Sequence, residues 1–138
     1  MCYKHFGKNK NFFKINNWKI ISEGSDNSYS ECVVEGVVNN KEKHIVAPVK
    51  SGPIEAIYKA IQKMVASAYV DVESIKLIDY KVSVISNNTS DKDMLFKVCV
   101  TLKGNEVYVT ESINKNMLQS SFEAIEKGVN HFLIRKYG

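Results

Sequence analysis

Two short stretches of the sequence hold residue types that together could bind a small zwitterion. The first, Ser51-Gly52-Pro53-Ile54, places a glycine and a proline before an apolar run. Proline suits the first turn of a helix, and the N–H groups at a helix start can bind a carboxylate. The second, Leu77-Ile78-Asp79-Tyr80, offers a carboxylate for an ammonium group and a ring for an aliphatic side chain. Each stretch alone has a simpler interpretation, a capped helix start or a strand end beside a core tyrosine.

Residues for catalysis or metal binding are not grouped in the sequence. The histidines have no His, Cys or carboxylate partner at metal-ligand spacing. The seven glycines form no phosphate-binding loop, and no Gly-x-Ser-x-Gly nucleophile elbow is present. The sequence therefore predicts a chain that is not an enzyme by itself and holds neither a metal nor a cofactor. The three histidines are His5, His44 and His131.

The composition limits the class of protein. The chain has 138 residues, which suits one domain, and a formal net charge of +4. Arg135 is its only arginine, which argues against nucleic-acid recognition, because arginine is the preferred residue for reading bases and clamping phosphates.

Cysteine usage and hydropathy indicate the compartment. Cys2, Cys32 and Cys99 form no Cys-x-x-Cys pair, which favours free thiols in a reducing compartment. The last two lie in apolar stretches and are predicted to be small core residues. No apolar run reaches the roughly 18 residues that span a bilayer, and the first residues, 1–14, lack the apolar segment of a signal peptide. We expect a cytoplasmic protein with no membrane partner.

The elements that carry the two stretches follow one order twice. Alternating and β-branched runs predict strands, and apolar residues at i, i+3, i+4 and i+7 predict two helices. Polar or glycine-containing segments separate them at 24–28, 39–42, 87–91 and 103–106. The predicted elements are strands at 13–23, 29–38 and 44–49 and a helix at 54–68, then strands at 75–86, 94–102 and 107–110 and a helix at 117–135.

A weak internal repeat supports this order. Residues 58–65 align with residues 122–129 at an offset of 64, and Trp18-Lys19-Ile20 aligns with Tyr80-Lys81-Val82 at an offset of 62. The sequence predicts an α+β fold of duplicated βββα units with pseudo-twofold symmetry, each sheet packed on helices. We expect a tail or linker at 1–12 and one folded domain at 13–138, with repeats at about 13–70 and 75–135.

The combined motifs resemble the C-terminal allosteric domain of the 2-isopropylmalate synthase and citramalate synthase family. The resemblance covers roughly Phe13 to Leu133. Its most specific parts are the Gly-Pro helix start and the Asp-Tyr strand. The matching segments are Gly52-Pro53-Ile54-Glu55-Ala56-Ile57-Tyr58-Lys59-Ala60-Ile61, Leu77-Ile78-Asp79-Tyr80-Lys81-Val82, Thr89-Ser90-Asp91, Val98-Cys99-Val100 and Asn116-Met117-Leu118-Gln119-Ser120-Ser121.

The resemblance implies a function as a sensor. In that family the domain pairs with a second copy, binds leucine or isoleucine near the dimer interface and inhibits a (β/α)₈ synthase barrel. It implies a homodimer, an amino-acid effector, and a synthase barrel in the same chain or in another. The positions that match the effector region are Gly52, Pro53, Ile54, Leu77, Asp79, Tyr80 and Val84.

Two departures from the family pattern leave an alternative open. Asn87-Asn88-Thr89-Ser90 stands where the family has Gly-Gly-Thr-Asp, and residues 111–115 contain no glycine where the family has a glycine-rich segment. Glycine permits positive φ angles and close backbone approach. The alternative is a dimerisation module that assembles with a synthase barrel without binding a ligand.

Overall fold

A computed structural model describes residues 12–24, 29–85 and 94–138. Most of the predicted tail, the turn at 25–28 and the loop containing Thr89-Ser90-Asp91 lie outside the described residues. The chain divides into two compact units. The first unit comprises residues up to Glu73 together with Phe132–Gly138, and the second comprises Ser74–His131.

The first unit is a three-stranded antiparallel sheet followed by a helix. Its elements are β1 (Phe13–Glu23), β2 (Tyr29–Val38), β3 (Lys41–Val49), α1 (Pro53–Ala66) and a 3₁₀ helix (Val70–Ser74, the last residue of which falls in the second unit). The strand order is β1-β2-β3. Asn39 and Asn40 join β2 to β3 with φ angles of 53° and 63°, as a two-residue type I′ hairpin requires. Because the turn is this tight, β3 begins at Lys41, earlier than expected.

The core of the first unit lies between one face of this sheet and α1. Alternate residues of β2 are buried because successive side chains of a strand point to opposite faces. The apolar side of α1 covers that face. The side chains buried here are Cys32, Val34, Val38 and Ala47 from the sheet and Ala56, Ile57, Ala60, Ile61, Met64 and Val65 from the helix.

The second unit repeats the arrangement. Its elements are β4 (Lys76–Ile85), β5 (Leu95–Lys103), β6 (Val107–Asn114) and the part of α2 (Met117–Tyr137) that ends at His131. The strand order is β4-β5-β6, antiparallel throughout. Its buried apolar residues are Ile75, Val98, Val100, Leu102, Phe122, Ala124, Ile125 and Val129. The prediction of a duplicated βββα fold is confirmed.

Strand β6 is longer than the sequence analysis predicted. It continues through Asn114, so ending it at Thr110 was wrong. Ser112, in the missed part of the strand, is polar but buried and bonded to α2: its hydroxyl donates to the Glu123 carboxylate over 2.6 Å, and its carbonyl accepts from the Ser120 hydroxyl over 2.8 Å. A hydroxyl with a partner can occupy a strand's inner face.

The two strands that open the units share an irregularity at equivalent positions. β1 has a register shift between Ile15 and Asn17 opposite β2, and β4 has one between Leu77 and Asp79 opposite β5. Both shifts fall at the same place for an offset of 62 residues. The helices begin at Pro53 and Met117, an offset of 64. A bulge at one repeated position supports duplication more strongly than apolar periodicity does.

At one pair of equivalent positions, the cores of both units hold a glycine and a long side chain, but in opposite order. In the first unit Gly36 faces Met64, whose Sδ would lie 3.1 Å from a Cβ added to the glycine. The equivalent positions in the second unit hold Leu102 and Gly128, and a Cβ on Gly128 would lie 2.7 Å from the Leu102 Cδ1. In each unit one glycine therefore makes room for one long side chain, the strand supplying the glycine in one case and the helix in the other.

The two described cysteines have different environments. Cys32 is fully buried, and this burial raises the pKa of its thiol to about 12. Cys99 pairs with Lys81 and Glu111, on the sheet face opposite to buried Val98, and is half-buried. The predicted core position is thus confirmed for Cys32 and wrong for Cys99. Neighbouring side chains of a strand point to opposite faces, so Cys99 points away from the core into which Val98 points.

Candidate functional site

The start of α1 leaves backbone donors open. Gly52 occupies the N-cap position with φ −80° and ψ 178°, and no side chain caps the helix; Ser51 therefore does not act as the N-cap. The first helical bond runs from the Ala56 N–H to the Gly52 carbonyl over 3.4 Å. Pro53 has no N–H, so the N–H groups of Ile54 and Glu55 lack an intrahelical partner. This helix start fits an anion better than a capped one would.

Strand β4 carries the other four predicted site residues on two opposite faces. Leu77, Tyr80 and Val84 pair with residues of β5 that face α2, namely Leu102, Val100 and Phe96. Asp79 pairs with Thr101 on the opposite face. The structure thus brings three of the four to one face of the sheet and separates Asp79 from them.

Tyr80 is fixed within the second unit. It is half-buried, and its hydroxyl lies 3.1 Å from the Ser121 Oγ. Ser121 also donates to the Met117 carbonyl over 2.9 Å. The buried Ser121 side chain thus links the phenol of Tyr80 to α2. Trp18 occupies the equivalent place in the first unit.

Asp79 and Val84 are solvent-accessible. The Asp79 carboxylate lies 3.9 Å from the Lys81 ammonium, and both side chains are more than half exposed, so this ion pair contributes little to stability. Val84 is 56% exposed although it shares a face with Tyr80. An accessible carboxylate and an accessible apolar side chain remain open to a ligand or a partner.

A polar cluster on β6 and α2 was not foreseen from the sequence. The Glu123 carboxylate accepts hydrogen bonds from Ser112 over 2.6 Å, from Gln119 over 3.1 Å and from Asn114 over 3.4 Å. Glu126 lies one turn further along α2. Its burial, followed by the charge of Glu123, raises the pKa of the Glu126 carboxyl to about 7. Alternate polar residues at 112 and 114 are the only sequence signal, because the partners come from a different element.

We expect the stability of the protein to fall as pH rises from about 4.5 to about 7. Over this window the unfolded chain releases the Glu126 proton while the folded chain keeps it. Glu126→Gln removes the cost of the buried charge. The variant should be more stable than the wild type at pH 8, by up to about 3 kcal/mol, and similar to it at pH 4. Urea unfolding at the two pH values measures this difference. An equal gain at both values would contradict the raised pKa.

Other features of the described residues lie apart from the predicted site. A cleft of about 570 Å³ in the first unit is lined by Phe12, Phe13, Lys14, Val37, Asn39, Asn40 and Tyr69. His44 and His131 are exposed, and the His44 Nδ1 lies 3.1 Å from the Glu35 carboxylate. Within residues 12–24, 29–85 and 94–138, no group of three or more His, Cys, Asp or Glu side chains could hold a metal ion. Among those residues, no helix is both long and apolar enough to cross a membrane.

The seven predicted residues fall into two sets by position in the fold. Gly52, Pro53 and Ile54 lie at the start of α1 in the first unit, where the last two are half-buried. The other four lie on β4 in the second unit. Backbone donors are the chemistry of the first set, and an apolar surface with a nearby carboxylate is that of the second.

Comparison with known proteins assigns the fold to a family. The family model of the LeuA allosteric (dimerisation) domain matches residues 1–133. An (R)-citramalate synthase of Aquifex aeolicus is 26% identical over 96% of this chain, and a 2-isopropylmalate synthase of Pyrococcus abyssi is 33% identical over 67% of it. The matched regions make up 25% and 17% of those two proteins, so the chain spans at most about a quarter of their length.

The predicted resemblance is therefore confirmed by the family model and by these relatives. The chain belongs to the LeuA allosteric (dimerisation) domain family found in citramalate and 2-isopropylmalate synthases.

Proposed function

We propose that this domain binds a branched-chain amino acid, leucine or isoleucine, at a homodimer interface and thereby feedback-inhibits a 2-isopropylmalate or citramalate synthase barrel in cis or in trans. The uncapped start of α1 is the observation that supports it most, given the family. The proposal places the domain in the cytoplasm, where such free thiols stay reduced. It assigns no catalysis, cofactor, metal or nucleic acid to the domain.

The proposed role of Gly52, Pro53 and Ile54 is to hold the effector's carboxylate. Gly52 has no side chain to occupy the donors, and an added Cβ there would meet nothing within 4 Å. The positive end of the helix dipole favours a negative charge at this position. The free N–H groups of Ile54 and Glu55 point out of the N-terminal end of α1, where they can donate to a carboxylate.

The β4 residues supply the remaining contacts in this proposal. Leu77, Tyr80 and Val84 share a face and offer an apolar surface for the branched side chain. The effector's ammonium needs an acceptor, which is either a backbone carbonyl or the exposed Asp79 carboxylate on the opposite face. One methylene in such a slot distinguishes ligands by about 1–3 kcal/mol, so leucine and isoleucine both remain candidates.

Substitution of Gly52 by aspartate tests the carboxylate subsite. Aspartate is a preferred N-cap residue, so Gly52→Asp should preserve or slightly raise stability. Its carboxylate would occupy the N–H donors of the anion subsite and repel the carboxylate of the effector. Titration calorimetry should show that leucine or isoleucine binds the wild type and that Gly52→Asp weakens the affinity at least tenfold. Gly24→Asp is the matched control, since Gly24 is also exposed with open space around it.

Either of two results would count against the proposal. If Gly52→Asp binds the amino acid with unchanged affinity, the carboxylate of the effector does not bind at the start of α1. No heat with leucine, isoleucine or valine would favour the alternative, a ligand-free dimerisation module. That alternative draws support from the exposed apolar side chains on the second unit's sheet, Val107, Val109 and Ile113, and predicts a stable dimer that is indifferent to amino acids.

A further inference from the structure

Strand β4 is an edge strand that keeps apolar side chains in solvent. It lies at one end of the β4-β5-β6 order. Val82 and Val84 are 38% and 56% exposed although their register places them on the face that α2 covers, and Ile78 and Ile85 are exposed as well. An edge strand with exposed apolar side chains is a template for pairing with another strand.

The equivalent strand of the first unit is more polar at its end, although its Ile21 is also exposed, by 39%. At an offset of 62 residues, β1 has Ser22 where β4 has Val84, and Glu23 where β4 has Ile85. Ile20, the equivalent of exposed Val82, is half-buried. The βββα fold therefore does not itself require apolar residues at these positions of β4.

The other outer strands, β3 and β6, are protected by lysines from the helices. Lys63 of α1 donates to the Val46 carbonyl of β3 over 3.0 Å. Lys127 of α2, 64 residues later, donates to the Glu111 carbonyl of β6 over 2.9 Å. Lysine side chains along an edge are a recurrent device against strand pairing, and both units apply it to the edge opposite β1 or β4.

The charges of β4 specify what can pair with it. In an antiparallel pair of identical strands related by a twofold axis at Tyr80, residue 79 of each strand lies directly opposite residue 81 of the other. These positions hold an aspartate and a lysine, and both side chains lie on the face away from α2, since they pair with Thr101 and Cys99. Opposite charges directly across a pair of strands stabilise it.

We propose that β4 pairs antiparallel with β4 of a second copy of this chain, about a twofold axis at Tyr80. The inference rests on the proposed function, whose dimer interface it specifies. The two sheets of second units join into one six-stranded sheet, which shields Val82 and Val84. The same join passes through Leu77, Asp79, Tyr80 and Val84, so effector contacts and dimer contacts share one strand.

A charge exchange between copies tests this register. In a dimer of Asp79→Lys, a lysine at 79 faces Lys81 of the other copy on each side of the twofold axis. In a dimer of Lys81→Asp, Asp79 faces an aspartate at 81 on each side. Sedimentation should show that each single variant raises the dimer dissociation constant at least about tenfold, equivalent to ~1.4 kcal/mol. An equimolar mixture should form a heterodimer within about threefold of the wild-type affinity, because every facing pair is then complementary.

The mixture separates pairing between copies from effects within one chain. Neither variant retains the Asp79–Lys81 contact inside its own strand, so only contacts across the interface can restore association. Lys19→Asp, at the equivalent position of β1, is the matched control and should dimerise as the wild type does; circular dichroism checks that all variants fold. Single variants that dimerise normally, a mixture that stays monomeric, or a monomeric wild type would each overturn the pairing, while amino-acid titration decides effector binding separately.

Discussion

Exchanging Leu102 and Gly128 should recover stability that either change alone removes. Leu102→Gly opens a cavity in the core of the second unit and should cost about 3–5 kcal/mol. Gly128→Met forces a side chain into a position where even a Cβ would lie 2.7 Å from Leu102, at a cost of about 1–3 kcal/mol. The double variant recreates the glycine and methionine arrangement of Gly36 and Met64. We expect it to be at least about 2 kcal/mol more stable than the sum of the single effects.

Urea unfolding of the four proteins in this double-mutant cycle measures the coupling. The pair Leu102→Ala and Gly24→Ala serves as a control, because Gly24 has open space and should show no coupling to the core. If the effects at Leu102 and Gly128 are additive, the glycine and methionine arrangement of the first core does not fit the second core. That result would weaken the argument from duplication.

Gly36→Ala should destabilise the protein by about 3 kcal/mol, at the upper end of the usual cost of overpacking. A Cβ at this position would lie 2.2 Å from the Lys14 carbonyl oxygen, which belongs to the backbone and cannot rotate away. The bulge after Ile15 is the reason for this close approach, since Gly36 pairs with Ile15 directly beside it.

Chemical denaturation should therefore show a lower midpoint for Gly36→Ala. Gly24→Ala changes the same residue type in the same unit without a contact within 4 Å and should unfold like the wild type. A Gly36→Ala protein of unchanged stability would show that β1 and β2 can separate at the bulge.

The spacing of apolar residues was enough to predict the order of strands and helices, because each element buries one face. The alternation in β2 and the i, i+3, i+4 spacing in α1 follow from contact with a single core. The bounds of β1 and β2 match the predicted ones at both ends. β6 was cut short after Thr110 because Ser112 and Asn114 are residue types typical of loops, and their hydrogen-bond partner, Glu123, lies in α2.

The geometry of the candidate site depended on one extra residue. In a regular strand Leu77 and Asp79 share a face and Tyr80 lies on the other. The bulge at Ile78 places Leu77 and Tyr80 together and leaves Asp79 opposite. In β1 the apolar alternation of Phe13 and Ile15 is interrupted at Asn16-Asn17 before it resumes at Trp18 and Ile20. This interruption and the internal repeat together could have located the equivalent bulge in β4. Glu123 and its partners gave no such signal, because their hydrogen bonds join β6 to α2.

Thermal unfolding with millimolar leucine, isoleucine, valine and lysine tests effector binding most directly. A ligand that binds only the folded state at about 100 times its dissociation constant adds about 2.7 kcal/mol. We predict a rise in Tm of roughly 5–10 °C with leucine or isoleucine, none with lysine, and none for Gly52→Asp with any of them. An unchanged Tm with all four amino acids would contradict effector binding and would leave a dimerisation module.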